Sequence, residues 1–434
     1  MDENVWTIHI IRVRCNGEAG CDIFSCSMCI LRVRFTEEEH MAISEADLNT
    51  WADYLLDYSL GGVQSDDIIM IKGEHITWPL MSVLQDKIFA AGGIADINLV
   101  APDNDRGKVW GAAIARHGNL EQIERVPPWY KERYNSMTKY IEILGAENPD
   151  LAAGLPEETA MAVMRADEPY KRIRLAKPWV LTLYPTEGFA NMEGMTLEEY
   201  TDVIVSASTQ DPRELDRVEQ DIYEQMDRSS TIRIKTRHPH DRRELELTMD
   251  ISDRGVVKCT GKRNFPDGEV FTSPNTKTTE GEIFVDLPVY NSGSTVQGIY
   301  LKFTGGRITD YSAEIGQDTL KKIIETDEGS HRLGEVALGM NAGITKVLKH
   351  PLFVEKVGGT LHIAIGASYP ECYVDDETTE EGKAALDRMH EQGLLNRSAQ
   401  HVDIVTDFRD GGAGLGVWLD DTKLEVRNGI WIVP

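Results

Sequence analysis

The stretches NFPDGEVFTSP (264–274), HRLGEVALG (331–339), LHIAIGASYPE (361–371) and HVDIVTDF (401–408) each set ionisable side chains in an apolar run. Glu269 follows a Pro-Asp-Gly turn and precedes Val270 and Phe271, Glu335 lies between Leu333 and the run Val336, Ala337, Leu338, and His362 sits inside LHIAIG. A carboxylate entering apolar surroundings is costly unless it is paired or bound to a cation. In HVDIV the two-residue period of a strand puts His401 and Asp403 on one face, a half-site for a metal. The set comprises three carboxylates and two imidazoles, with no thiolate. Such donors suit Zn, Co, Mn or Fe(II), and three carboxylates are enough to bridge two ions. Buried strands with hydrogen-bonded core histidines, and edge glutamates facing water, are the other reading these stretches allow on their own.

Other signatures narrow the chemistry. The chain has no GxSxG elbow, no HExxH helix and no Walker loop. GGAGLGVW (411–418) has the glycines of a nucleotide loop but no following helix pattern, so it reads as a glycine-rich loop in an antiparallel region. His331, beside Arg332, reads as a turn residue, and His238 and His240 in RHPHDRR as solvated.

These residues need elements to position them. Ser44 and Asp47 suggest a helix N-cap, followed by an apolar stripe of Leu48, Trp51, Leu55 and Leu56. IIMIKG (68–73) reads as a strand, WPLMSVLQDKIFAAGG (78–93) as a helix closed by glycine, and ADINLVAP (95–102) as the next strand. That βαβ unit implies a parallel sheet, to which PWVLTLYPT (178–186) adds a strand. A long acidic helical stretch, a solvated face, runs from Thr196 to about Met226 and is interrupted near Asp211-Pro212. Beyond residue 230, ELELTMDIS, EIFVDLP and the hairpin IYLKFTGG-RITDYSAEI give period-2 or apolar strands, with helices expected at 313–325 and 381–392. The fold class is therefore α/β and α+β. Residues 41–230 form an α/β N-terminal domain with a parallel βαβ sheet, and 231–434 an α+β metal-binding catalytic domain of mainly antiparallel strands.

With 434 residues, 41% hydrophobic and 27% charged, the chain is globular and long enough for two domains. Its net charge of −27 disfavours nucleic acid and anionic membrane surfaces as partners, although solubility alone would also explain it. No apolar run approaches the roughly 18–20 residues that span a bilayer. The opening MDENVWTIHIIRVRC is wrong for a secretory signal, which makes a cytoplasmic location the expectation. Cys15, Cys21, Cys26 and Cys29 crowd together, but only the last pair has the usual zinc spacing. Residues 1–40 are read as an N-terminal extension of unknown role, or a misassigned start, since a domain begins naturally at Met41.

PDGEVFTSP, RLGEVALG, HIAIGASYP and the late HVD resemble, in order, the motifs of the metallo-aminopeptidase family of the aminopeptidase T and S type. GAENPDL (145–151), PWVLTLYPTEGFA (178–190) and GMTLEEY (194–200) resemble its N-terminal domain, so the likeness runs from Met41 to the C-terminus. The resemblance implies Glu269, Glu335, His362, His401 and Asp403 as ligands of a two-metal centre holding Zn, Co or Mn, and Tyr369 as an active-site residue. It also implies a two-domain homodimer with the site facing an internal cavity, releasing single residues from peptides with a free N-terminus. Glu335 would then take a proton from the attacking water, and Tyr369 would ligate a metal or donate to the oxyanion. Where the family often has an Asn-Ala-Ser-Cys-like run before the motif histidine, this chain reads Val357-Gly358-Gly359-Thr360-Leu361. A ring-opening dihydroxypyridine dioxygenase resembles the same scaffold and uses one Fe(II), for which His362, His401 and Asp403 are the candidate ligands. A facial triad needs no further glutamates, so Glu269 and Glu335 favour the peptidase. A non-catalytic homologue that keeps the site for structure is the third alternative.

Overall fold

The computed structural model describes residues 43–100, 117–149, 157–291 and 294–434, so the expected extension at 1–40, with its cysteines, lies outside the described residues. Ile43–Pro434 forms one compact unit. The helix Glu45–Asp53 begins where Ser44 accepts a hydrogen bond from Asp47 N, and its apolar stripe is buried. Trp51 is fully enclosed, stacks on Tyr184 at 6.3 Å and donates from Nε1 to Thr182 Oγ1 at 3.1 Å. Trp51→Ala removes this packing and leaves a cavity. It is expected to cost about 3–5 kcal/mol in denaturant unfolding, and a change below about 1 kcal/mol would show that the site collapses around the loss.

The strands Ile68–Glu74 and Ile94–Val100 pair in parallel across the helix Trp78–Ala90, as the βαβ pattern requires. Gly92, at φ +91°, turns the chain out of that helix. Lys139–Leu144 and Trp179–Leu183 extend the parallel sheet on the other side of the first strand. Its last strand, Asn264–Phe265, comes from much later in the chain and ends four residues before Glu269. The parallel-sheet core also takes in Ile344, Leu348, Phe353 and Val357, so the elements that carry the site candidates are packed directly against it.

After residue 230 the strands are antiparallel, apart from Asn264–Phe265. An eight-stranded sheet includes the expected hairpin Ser294–Thr304 and Arg307–Ile315, turned at Gly305-Gly306 with both φ positive. A five-stranded sheet has the order His401–Asp407, Thr360–Gly366, Leu333–Gly339, Glu269–Thr272, Val257–Cys259. The helix expected at 313–325 is shorter: the strand runs on to Ile315, Gly316 turns at φ +79°, and the helix covers Gln317–Ile324. The alternating pattern of RITDYSAEI thus prevails over helix propensity up to the glycine. The acidic stretch forms two helices, Leu197–Ser208 and Pro212–Asp227, split where Asp211 caps the second and Pro212 opens it. Helix Glu380–Glu391 lies where expected, and GGAGLGVW enters the strand Gly414–Leu419 with no helix.

Candidate metal centre

One face of the five-stranded sheet carries all five candidate ligands. Its register pairs Glu335 with Ala364 and Ala364 with Asp403, Ala337 with His362, Gly339 with Glu269, and Gly366 with His401. Paired residues share a face of the sheet. The charged side chains therefore rise around Ala337 and Ala364, whose small side chains leave room above the sheet, while backbone packs over Gly339 and Gly366. The intervening Val270, Val336, Leu338, Leu361, Ile363, Val402 and Ile404 point the other way into the core. The three central strands, Thr360–Gly366, Leu333–Gly339 and Glu269–Thr272, are buried on both faces, which is why their sequences read as continuous apolar runs.

Glu335 reaches this face through a bulge. Leu333 pairs with Ile365, but the register shifts before Glu335, which pairs with Ala364. Residues two apart on a regular strand share a face. The extra residue, Gly334, sends Leu333 to the core and Glu335 to the site. A side chain at Gly334 has no space, because a Cβ there would lie 2.0 Å from Ala367 O.

The five side chains converge. His401 Nε2 lies 2.8 Å from Glu335 Oε2 and 3.3 Å from Asp403 Oδ1. His362 Nε2 lies 3.5 Å from Glu269 Oε2, 3.6 Å from Glu335 Oε1 and 4.0 Å from Asp403 Oδ1. Glu269, Glu335 and His362 are buried. His401 Nδ1 is 2.7 Å from Ala367 O, a group that only accepts, so this nitrogen carries the proton and Nε2 is left to face the acids. That is the usual support of a ligating histidine. Glu269 Oε2 and Asp403 Oδ1 are buried with no hydrogen-bond partner. Two orphaned carboxylate oxygens beside two imidazole nitrogens fit divalent cations, and this donor set meets the requirement the sequence suggested.

Electrostatics point the same way. Burial disfavours charge on His362, but Glu335, Glu269 and Asp403 outweigh it and raise its pKa to about 9. His401 is likewise raised to about 11 against its burial by Asp403 and Glu335. Burial also opposes ionisation of Glu335 and Asp403, yet the imidazoles hold both carboxyls below their usual range. Without a cation, the histidines therefore hold protons in its place.

Tyr369 closes one side of the centre, with its ring 4.6 Å from that of His401 and 5.1 Å from that of Phe271. The residue is 38% exposed, but partial burial of the hydroxyl and the carboxylates of Glu335, Asp403, Glu355 and Glu269 raise the pKa of the phenol, which stays protonated. A cavity of about 410 Å³ opens onto Glu269, Glu335, His362 and Tyr369, and is walled by Trp179, Val257, Cys259 and Phe271. Trp179 belongs to the parallel sheet. His331 ends a short turn, His240 is exposed and pairs with Glu314, and His238 is half-buried against Phe284, and none of these is grouped with the candidate ligands.

Sequence reasoning missed Asp267, Glu355 and Lys356. Glu355 lies with His362 and Asp403, and Asp267 with Glu269 and Cys259, in groups whose ligand atoms are within 4.8 Å of one another. Asp267 looks like an ordinary turn residue in Pro-Asp-Gly, and Glu355-Lys356 like an exposed ion pair. The one available signal was the spacing of Asp267 two residues before Glu269.

The sheet and the acids and imidazoles it gathers define a metal-binding protein of mixed α/β architecture. Residues 44–411 match the family model described as thermophilic metalloprotease (M29), and the chain belongs to that family. Aminopeptidase T of Thermus aquaticus is 34% identical over 175 residues, 39% of this chain and 40% of that protein. Aminopeptidase AmpS of Bacillus subtilis is 35% identical over 174 residues, with the same shares. The aligned segments thus span well under half of these relatives. Among solved structures, AmpT from Thermus thermophilus superposes with a TM-score of 0.67 at 22% identity, covering 89% of this chain and 99% of that one. 2,5-Dihydroxypyridine dioxygenase from Pseudomonas putida gives a TM-score of 0.50 at 11% identity, covering 91% and 99%. Both likenesses concern the fold.

Proposed function

We propose that this chain is a metal-dependent aminopeptidase that removes the first residue from peptides with a free N-terminus, at a centre of two divalent ions, Zn, Co or Mn. The observation that carries the reading is the charge of the site. Glu269, Glu335, Glu355 and Asp403 meet around His362, Asp267 adjoins Glu269, and the Lys356 ammonium lies among Glu269, Glu355 and Asp267. Lys356 offsets one of these carboxylates. Burial raises the pKa of the Asp267 carboxyl to about 7 and pushes that of Glu355 up, so all five ionise together only with bound cations. Five acids with two imidazoles offer donors enough for two divalent ions.

Such ions, when bound, polarise the scissile carbonyl and make a water acidic enough to attack near neutral pH. Glu335, next to both histidines, accepts the water's proton and returns it to the leaving amine. Tyr369 stays protonated and donates a hydrogen bond to the oxyanion of the tetrahedral intermediate. Glu269 and Glu355 border the cavity and attract the substrate's α-ammonium, which confines cleavage to the first peptide bond. Trp179, Val257 and Phe271 offer the peptide apolar contacts in a cavity that Lys258, Lys262 and Arg263 also line. A homodimer and a cytoplasmic location rest on the family resemblance and on the sequence. Among the described residues no helix is long and apolar enough to cross a membrane.

Metal analysis of the purified protein together with a panel of aminoacyl-anilides and short peptides tests the reading. Two divalent ions per chain and release of free amino acid are expected. One iron per chain with consumption of oxygen would replace it by the dioxygenase, and turnover of nothing with Zn, Co or Mn would leave a non-catalytic homologue.

A further inference from the structure

Lys356 follows the short helix Pro351–Val354 and Glu355, in a pattern that ordinarily faces water, yet it is only 1% exposed. Its backbone is anchored on both sides. Lys356 N donates to Phe353 O at 3.0 Å and its carbonyl accepts from Asn341 N at 2.9 Å. Asn341 Nδ2 in turn donates to Asp267 O at 2.6 Å, tying the turn that bears Lys356 to the turn that precedes Glu269. The Nζ lies 2.5 Å from Glu269 Oε1, 2.7 Å from Glu355 Oε1 and 3.4 Å from Asp267 Oδ1. Cys259 faces Asp267 and Glu269, as does Glu219, buried on the helix Pro212–Asp227 with neither carboxylate oxygen hydrogen-bonded. Burial opposes the lysine's charge, but Glu269, Glu355 and Asp267 prevail and keep it an ammonium.

The contact leaves Glu269 asymmetric. Oε1 is held by Lys356, and Oε2, with no hydrogen-bond partner, faces His362. We propose that Lys356 is a positioning residue of the metal centre, which fixes Glu269 as a one-oxygen ligand and sets by its charge how tightly the ions are held. This rests on the metal-dependent reading above. A fixed positive charge inside a shell of carboxylates weakens the binding of further cations. The same charge favours loss of a proton from the attacking water. Lys356 therefore lowers ion affinity and keeps the reaction running toward lower pH. Without it, Glu269 is free to chelate through both oxygens in a more negative site.

The test compares Lys356→Met, Asp267→Asn and the double variant in the full chain, by competition for Zn with a chromogenic chelator and by the pH profile of kcat/KM at saturating metal. Lys356→Met is expected to hold Zn at least about tenfold more tightly, while the acidic limb of its profile moves up by about one pH unit. Asp267→Asn keeps the lysine and removes a carboxyl whose pKa burial raises to about 7, so above that pH it takes away negative charge and moves both quantities in the opposite direction. The double variant removes a pair with no net charge and returns both towards wild type. If Lys356→Met does not fold for want of a counter-charge, Asp267→Asn still carries the comparison, and the double variant, which takes one carboxyl away with the lysine, leaves less buried charge uncompensated than Lys356→Met does. Zn affinity and activity falling together in Lys356→Met, with no recovery in the double variant, would make the lysine a support of the fold only and overturn the proposal. Unchanged Zn affinity across the folded variants would overturn it too, while wild type that binds no divalent ion would instead bring down the metal-dependent reading.

Discussion

Glu335→Gln lowers kcat by about 10²–10⁴-fold, the range a positioned general base supplies, while the protein stays folded. The substitution keeps the size of a side chain that is only 2% exposed and keeps an oxygen to face His401. What it removes is the ability to take a proton, together with one negative charge between two imidazoles. Zn binding falls as well, because Glu335 is also a candidate ligand, so the assay belongs at saturating metal. There KM for an aminoacyl-anilide changes little compared with kcat, and the thermal midpoint of the protein stays within a few degrees of wild type. The distinction from Glu269→Gln is informative. Glu269 has one oxygen on Lys356 and one towards His362, so its replacement acts through metal content, and added metal restores part of the activity. Full activity in Glu335→Gln would remove this residue from the proton path and leave the neighbouring Glu355 as the base to examine.

Much of this arrangement could be read from the sequence, because the site is built on strands. The period of two in HVDIV placed His401 and Asp403 together, and the structure shows both on the site face of the strand His401–Asp407. The four apolar segments bearing ionisable residues are the three central strands and the edge strand His401–Asp407 of one sheet, in which one side of each strand enters the core and the other the site. The βαβ unit was legible for a related reason, since local hydrophobic periodicity and a glycine stop define each element without reference to the rest of the chain. What escaped notice depends on contacts distant in sequence. The bulge at Gly334 reverses the direction of Glu335 relative to Leu333, and period-2 reasoning on RLGEVALG puts the two on the same face. Lys356 and Glu355 enter the site only because Asn341 draws their turn against Asp267, and nothing adjacent to them in sequence marks that burial. The pairing of Asn264–Phe265 with the parallel sheet was invisible for the same reason, yet it sets the point from which Glu269 leaves one sheet for the other.

Removal of metal should have the second large effect, and its pH dependence separates this centre from a surface cluster of acids. A chelator is expected to abolish activity, and Zn, Co or Mn to restore it. In the metal-free protein the pKa of His362 is raised to about 9 and that of His401 to about 11, so both rings are imidazolium at pH 7. A metal takes only the neutral ring, so its uptake at pH 7 releases about two protons, countable by titration calorimetry in buffers of different ionisation heat. Affinity must then fall as the pH is lowered, by about tenfold for each proton displaced per pH unit. The stability of the metal-free protein varies in the other direction. A histidine with a raised native pKa stabilises the fold fully below its unfolded value of about 6.5, and that contribution is lost as the pH rises through the native one. The metal-free protein should therefore unfold more easily as the pH climbs from about 6.5 towards 9. The metal-loaded protein, whose imidazoles are already neutral and bound, lacks this loss, and the gap between the two thermal midpoints widens with pH. Equal midpoints across that window, or uptake of metal without release of protons, would mean that the histidines are not where the ions bind.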